Sequence, residues 1–128
     1  MNLDKYMDEL CKEMEIPNNL KTQVSGVYSI PLDKDYNVVV TYAPPGFILT
    51  CTLGDKPAAD EDFLLDAMVA NVYGQTTFGS VLGLDDTGKK IILSRMVDWN
   101  PNVQEFIQII EDFINAADFW REESSVYH

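Results

Sequence analysis

The sequence predicts an α+β domain: helix, three strands, helix, two strands, helix, with the helices packed on an antiparallel twisted sheet. Two observations carry the prediction. Apolar residues recur at helical spacing in residues 2–15, 60–73 and 101–120, and they alternate at strand spacing in five shorter runs between them. Length and composition agree, because 128 residues with 46% hydrophobic content suffice for one core and exceed what a disordered acidic tail carries. No repeat, low-complexity tract or domain boundary divides the chain, so residues 1–128 read as one domain, with 124–128 as a frayed tail.

The first helix, 2–15, gathers Leu3, Tyr6, Met7, Leu10, Cys11 and Met14 on one stripe and charged residues on the other, and Pro17-Asn18-Asn19 stops it. Residues 24–32 form a strand with Tyr28, Ile30 and Leu32 on one face, and Pro31 marks it as an edge or a strand end. Residues 36–42 are rich in β-branched side chains, and 47–53 alternates Phe47, Leu49, Cys51 and Leu53 against threonines. Asp33-Lys34-Asp35 and Ala43-Pro44-Pro45-Gly46 are turn chemistry, which makes these three strands a meander. After the central helix, 77–85 and 89–97 form a pair around Asp86-Thr87-Gly88. The last helix opens on Asn100 as cap with Pro101 at its first position, and carries Phe106, Ile107, Ile110, Phe113, Ile114, Ala117 and Trp120 on one stripe. Phe119 falls on its polar face, either a contact for a partner or the other subunit, or part of a frayed end.

The central segment, DEDFLLDAMVANVY at 60–73, departs from ordinary amphipathic patterning. Leu64, Leu65, Met68, Val69, Val72 and Tyr73 sweep half the helix circumference, and past the first turn only Asp66 and Asn71 are polar. A helix apolar nearly all round must be covered on more than one side. One side meets its own sheet, and a second copy of the chain is the simplest cover for the other.

Charge and chemistry narrow the function. A net charge of −12 with scattered basic residues disfavours nucleic acid and anionic membrane surfaces. Met1 leads straight into the polar MNLDKYMDEL, and no apolar run approaches a membrane span, so a bacterial cytoplasm is expected. Cys11 and Cys51 lack CxxC spacing and are expected as buried thiols in a reducing compartment. The single histidine is His128, too terminal to hold a general base, so no Ser-His-Asp or Cys-His constellation assembles. The Gly79 and Gly83 pair lacks the Lys-Ser/Thr ending of a P-loop. Asp33, Asp35 and Asn37 mimic the start of a calcium loop, but Val38 and Pro44 stand where glycine and glutamate are needed. Asp85-Asp86, followed by Thr-Gly, reads as a turn. No catalytic residue, metal or cofactor is therefore expected, and apolar surface becomes the functional material: a protein-binding domain.

The stretch NVYGQTTFGSVLGLDDTGKKIILSRMV, 71–97, resembles the class I chaperones of type III secretion, the Tir-chaperone (CesT) and SycE-like family. The resemblance rests on a central helix ending in Asn71 with Gly74 soon after, then Leu82-Gly83-Leu84-Asp85, then a strand ending Leu93-Ser94-Arg95. Phe113 and Ala117-Asp118-Phe119-Trp120 match the family's closing helix. Tyr73 and Phe78 are bulkier than the small residues expected near the family's dimer seam.

The resemblance implies a homodimer that binds the N-terminal segment of a secreted effector, keeps it extended and export-competent, and hands it to a secretion ATPase. It implies a dimer interface at Leu64, Met68, Val72, Phe78, Val81 and Leu82. It implies effector binding by Leu3, Tyr6, Met7, Leu10, Met14, Tyr28, Ile30, Val38, Val40, Phe47 and Leu49, each of which could equally be intramolecular core. Two other readings stay open: a regulatory module of the same fold that binds a folded partner, and a small enzyme or ligand-binding domain with a pocket above the sheet.

Overall fold

The computed structural model describes residues 2–17, 20–33, 36–55 and 80–126. Helix α1 spans Leu3–Met14, followed by strands β1 (Val27–Asp33), β2 (Tyr36–Ala43) and β3 (Gly46–Asp55), then β4 (Val81–Leu84), β5 (Lys90–Val97) and helix α2 (Val103–Val126). The central helix expected at 60–73 lies outside the described residues. The five strands form one antiparallel sheet in the order β1-β2-β3-β5-β4. Both β3 and β4 flank β5 and so run parallel to each other on either side of it. The expected meander and returning pair are both present, and the α+β class holds.

Local chemistry sets the element ends. Asn2 caps α1, its Oδ1 accepting from the Lys5 N–H at 3.1 Å. The helix stops at Glu15, which turns left-handed at φ 56°, while Ile16 N–H returns to the Cys11 carbonyl at 3.0 Å. Pro17 stands two residues past this cap, where it cannot continue the helix. Helix α2 begins two residues later than expected. Asn102, and not Asn100, is its cap: Glu105 N–H donates to Asn102 Oδ1 at 2.9 Å, and Asn102 N–H donates to Glu105 Oε1 at 3.1 Å. That reciprocal pair satisfies two otherwise orphaned donors, an advantage Asn100-Pro101 cannot match. The helix then continues through Val126, into the span expected to fray.

Two helices cover one face of the sheet. Leu3, Met7, Leu10 and Cys11 of α1, with Phe106, Ile110, Phe113, Ala117 and Trp120 of α2, close over Tyr28, Ile30, Val38, Val40, Phe47, Leu49, Cys51 and Leu93. Phe106 is the hub. Its ring sits 5.0 Å from Phe47, edge-on, and 5.4 Å from Tyr6. The far half of α2 is tied to the sheet by Tyr36, whose hydroxyl donates to Asp118 at 3.0 Å while the Arg121 guanidinium lies 4.0 Å above its ring.

Candidate protein-binding surface

Strand parity divides the candidate residues. Tyr28, Ile30, Val38, Val40, Phe47 and Leu49 all point to the helix-covered face and are buried there, as are Leu3, Met7 and Leu10 from α1. Tyr6 and Met14 are partly exposed at the rim of this core. Tyr6 also anchors α1 to the start of α2, its hydroxyl donating to the Pro101 carbonyl at 2.8 Å. These eleven positions therefore form one contiguous cluster, and in the single chain nine of them face inward. Of the seam candidates, Val81 is 54% exposed and Leu82 is buried. Leu64, Met68, Val72 and Phe78 lie outside the described residues.

Apart from Val81, the opposite face of the sheet was not singled out by sequence reading. Cross-strand partners share a face, so the register assigns it: Ser29, Val39, Thr50, Ser94 and Val81 form one row, and Val27, Thr41, Ile48 and Met96 a second. Thr52, Ile92 and Gly83 form part of a third. None of these side chains is charged, in a chain that carries 30 charged residues (9 basic and 21 acidic). Met96 is 68% exposed, and Val39, Ile48 and Ile92 are half-buried. The signal was present in β2, where Val38, Val39 and Val40 place apolar residues on both faces.

Further exposed apolar groups sit at one end of the sheet: Tyr42 and Trp99 beside the turn at 43–46, and Val24 in the same cavity lining as Tyr42. Phe119 is exposed on α2 as its place on the polar face predicted, with its ring edge-on to Trp120 at 5.3 Å.

The titratable groups explain structure before chemistry. Asp85 organises the β4–β5 turn: its carboxylate accepts from Thr87 Oγ1 at 2.7 Å and from the Lys89 and Lys90 N–H groups at 3.2 and 3.3 Å. The Thr87 hydroxyl, with help from those backbone donors, holds its pKa below the usual carboxylate value. Burial pushes the Cys51 thiol up to about 12, and burial with the Asp8 charge raises Cys11. Both cysteines are free and buried, as expected. Among the described residues no group of His, Cys, Asp or Glu is placed to hold a metal ion, and no helix is long and apolar enough to cross a membrane.

A helix-backed sheet with a neutral, partly apolar second face defines a class of protein-binding domain. The particular family follows: the chain belongs to the Tir chaperone protein (CesT) family, whose profile matches residues 5–121. A Chlamydia pneumoniae protein, CPj0713/CpB0740, is 29% identical over 121 residues, covering 92% of each chain. Among solved structures, the ExsC–ExsE complex contains a chain of the same fold at TM-score 0.75 and 15% identity, covering 95% of this chain and 92% of that one. The HopA1–SchA chaperone–effector complex follows at TM-score 0.70 and 16% identity, with 94% and 93% covered. YbjN of E. coli, a candidate transcription regulator, shares the fold at TM-score 0.71 and 10% identity, with 98% and 93% covered.

Proposed function

We propose that this chain is a type III secretion chaperone that binds the N-terminal segment of a secreted effector in the bacterial cytoplasm, keeping it soluble, extended and ready for export. The observation that carries the reading is membership of the Tir chaperone family across residues 5–121. The fold shared with the chain in a chaperone–effector complex supports it. Physically, a disordered client loses conformational entropy on binding, so it needs contacts spread over a long surface rather than one deep pocket. The largely neutral sheet face and the rim residues Tyr6 and Met14 offer such contacts, and the nine buried candidates form the core beneath them.

The chaperone acts as a single-domain homodimer. Its seam runs along Leu64, Met68, Val72 and Phe78 and continues onto Val81 and Leu82, and the 54% exposure of Val81 in the single chain supports that placement. The chaperone carries out no chemistry itself, and a secretion ATPase receives the loaded complex. Affinity capture of the tagged chain from its own bacterium tests the reading. The expected result is one stoichiometric secreted protein, bound through about its first hundred residues, the scale of a small domain. Capture of a folded regulator with no protected disordered segment would replace it with the regulatory reading, which the likeness to YbjN favours.

A further inference from the structure

We infer that Met96 is a reversible oxidation site, where peroxide converts the exposed thioether of the largely neutral sheet face to a sulfoxide and weakens that face as an apolar contact surface. The consequence for a client rests on the chaperone reading above; the site itself does not.

The sheet explains why this thioether is accessible. Met96 lies on β5 opposite Ile48 of β3, in the row that continues through Thr41 and Val27. Ile48 flanks it on one side. On the other side the β4 ladder ends at Val81 opposite Ser94, two residues short of Met96. The side chain stands at that corner with 68% of its surface exposed, more than any other large hydrophobic residue described. Oxidation of a thioether follows such exposure to a small oxidant.

The other sulfur atoms among the described residues are shielded. Met7 is 2% exposed within the core, and Met14 is half-buried at its rim. Cys11 and Cys51 are buried as well, and burial pushes both thiols up, Cys51 to about 12. Neither offers peroxide the thiolate it attacks.

In the reaction a sulfur lone pair attacks one oxygen of hydrogen peroxide. The S–O bond forms as the O–O bond breaks, and the departing hydroxide takes the proton left on the transferred oxygen and becomes water. Sulfur is oxidised by two electrons and the peroxide reduced by two. A thiol-dependent methionine sulfoxide reductase reverses the change, releasing the oxygen as water while two thiols become a disulfide. The sulfoxide oxygen is a strong hydrogen-bond acceptor, and its cross-strand neighbour Ile48 offers no side-chain donor. An apolar segment laid over the two residues would bury that acceptor unsatisfied. The exposed position keeps this cost off the fold itself, so oxidation alters the surface and spares the core.

The test treats the full chain with hydrogen peroxide and follows each methionine by peptide mass spectrometry. Met96 should be oxidised at least about tenfold faster than Met7 and faster than Met14, with both cysteines unmodified and the thermal midpoint kept. Added methionine sulfoxide reductase should restore the original mass. Oxidation at Met96 no faster than at Met7, or cysteine oxidation ahead of it, overturns the inference.

Nile red, a neutral apolar dye, reads the surface without an effector. Its fluorescence should fall when the wild-type chain is oxidised and stay constant through the same treatment of Met96→Leu, which has similar volume and no sulfur. A captured effector should bind roughly fivefold more weakly to the oxidised wild-type chain, while the affinity of Met96→Leu should not change with peroxide. A loss of equal size in Met96→Leu places the effect at another residue, and the inference fails. If the wild-type chain captures no effector, the chaperone reading fails, and the peptide rates and the dye still decide the oxidation site.

Discussion

Gly46 is the position where the fold tolerates least change. A Cβ built there would stand 1.9 Å from the Val97 carbonyl oxygen and 2.6 Å from that of Trp99. An ordinary carbon–oxygen contact is about 3.3 Å, so the backbone at 97–99 would have to retreat by roughly 1.4 Å. Both obstructing atoms are main chain, so no side-chain rotation relieves the clash. The retreat breaks the rung pairing Phe47 with Val97 and loosens Phe47, which is fully buried against Phe106. One orphaned backbone group costs about 1–3 kcal/mol, and partial loss of a buried phenylalanine a fraction of the roughly 3–5 kcal/mol of its full removal. Gly46→Ala should therefore cost about 4 kcal/mol, a large share of the roughly 5–15 kcal/mol that holds a domain together. Urea unfolding followed by circular dichroism at fixed protein concentration measures it, with two other glycines as internal standards. Gly88 has open space around it but φ +72°, so alanine there should cost only the torsional penalty of about 1–2 kcal/mol. Gly83 has neither a close neighbour nor a positive φ, so its alanine variant should be neutral or stabilising by about 0.5–1 kcal/mol. A Gly46→Ala protein within 1 kcal/mol of wild type, by about the accuracy of such extrapolations, would show the reasoning to be mistaken.

Other perturbations probe separate parts of the molecule. Glu15→Gly relieves a left-handed residue at the end of α1 and should raise stability by about 0.5–1 kcal/mol in the same urea assay; a loss would mean the Glu15 side chain stabilises the turn. The depressed pKa of Asp85 contributes stability that is present above its unfolded value, near 3.8, and is lost as pH falls through its lower folded value. Asp85→Asn should flatten that acid limb in a melting series from pH 6 to 2, and an unchanged limb would assign the effect to other carboxylates. Cys51 works in the opposite sense: its raised pKa contributes stability fully present below about 9 and lost as pH rises toward about 12. At pH 8 its thiolate fraction is about one part in 10⁴, so labelling by a thiol reagent should be roughly a thousandfold slower in the native chain than after unfolding, and fast native labelling would contradict its burial. Val81→Glu alters an exposed side chain, so it should keep the fold of the single chain by circular dichroism while sedimentation shifts from dimer to monomer; a persisting dimer moves the seam elsewhere.

The fold was largely legible because β-strand parity and helix periodicity are local signals. Phe47, Leu49, Cys51 and Leu53 announce one buried face without knowledge of any partner strand, and the turn residues at 44–45 and 86–88 fix which strands become neighbours in sequence. What stayed hidden depends on groups that pair across space or over short alternatives. Asn100-Pro101 and Asn102 are both acceptable helix starts by composition, and only the reciprocal bonds between Asn102 and Glu105 decide between them. The expected binding residues were apolar and periodic, and periodicity cannot separate a core stripe from a binding stripe. Leu3, Met7 and Leu10 would show the same spacing in either role. The neutral second face was missed for the converse reason. Its threonines, serines and single aliphatics look like ordinary solvent-facing positions until the register lines them up.

That alignment bears on how such a surface can hold an unfolded client. In a chain of net charge −12, a sheet face whose central rows carry no charged side chain, with Lys90 at its end, departs from the acidic character of the rest. Charged residues there would favour one complementary sequence and repel others, whereas threonine, serine and short aliphatic groups accept apolar stretches of varied sequence. The rows through Val39 and Ile48 run perpendicular to the strands and give shallow contacts, each weak, repeated over the width of the sheet. The acidic residues elsewhere then keep the unloaded chain soluble despite the apolar groups it exposes. If this division of labour is correct, Thr50→Asp on the neutral face should spare the fold, lower effector affinity at least tenfold and make the loss smaller in high salt, since the introduced charge acts on a client rather than on the core. A salt-independent loss would instead place Thr50 in a packing role.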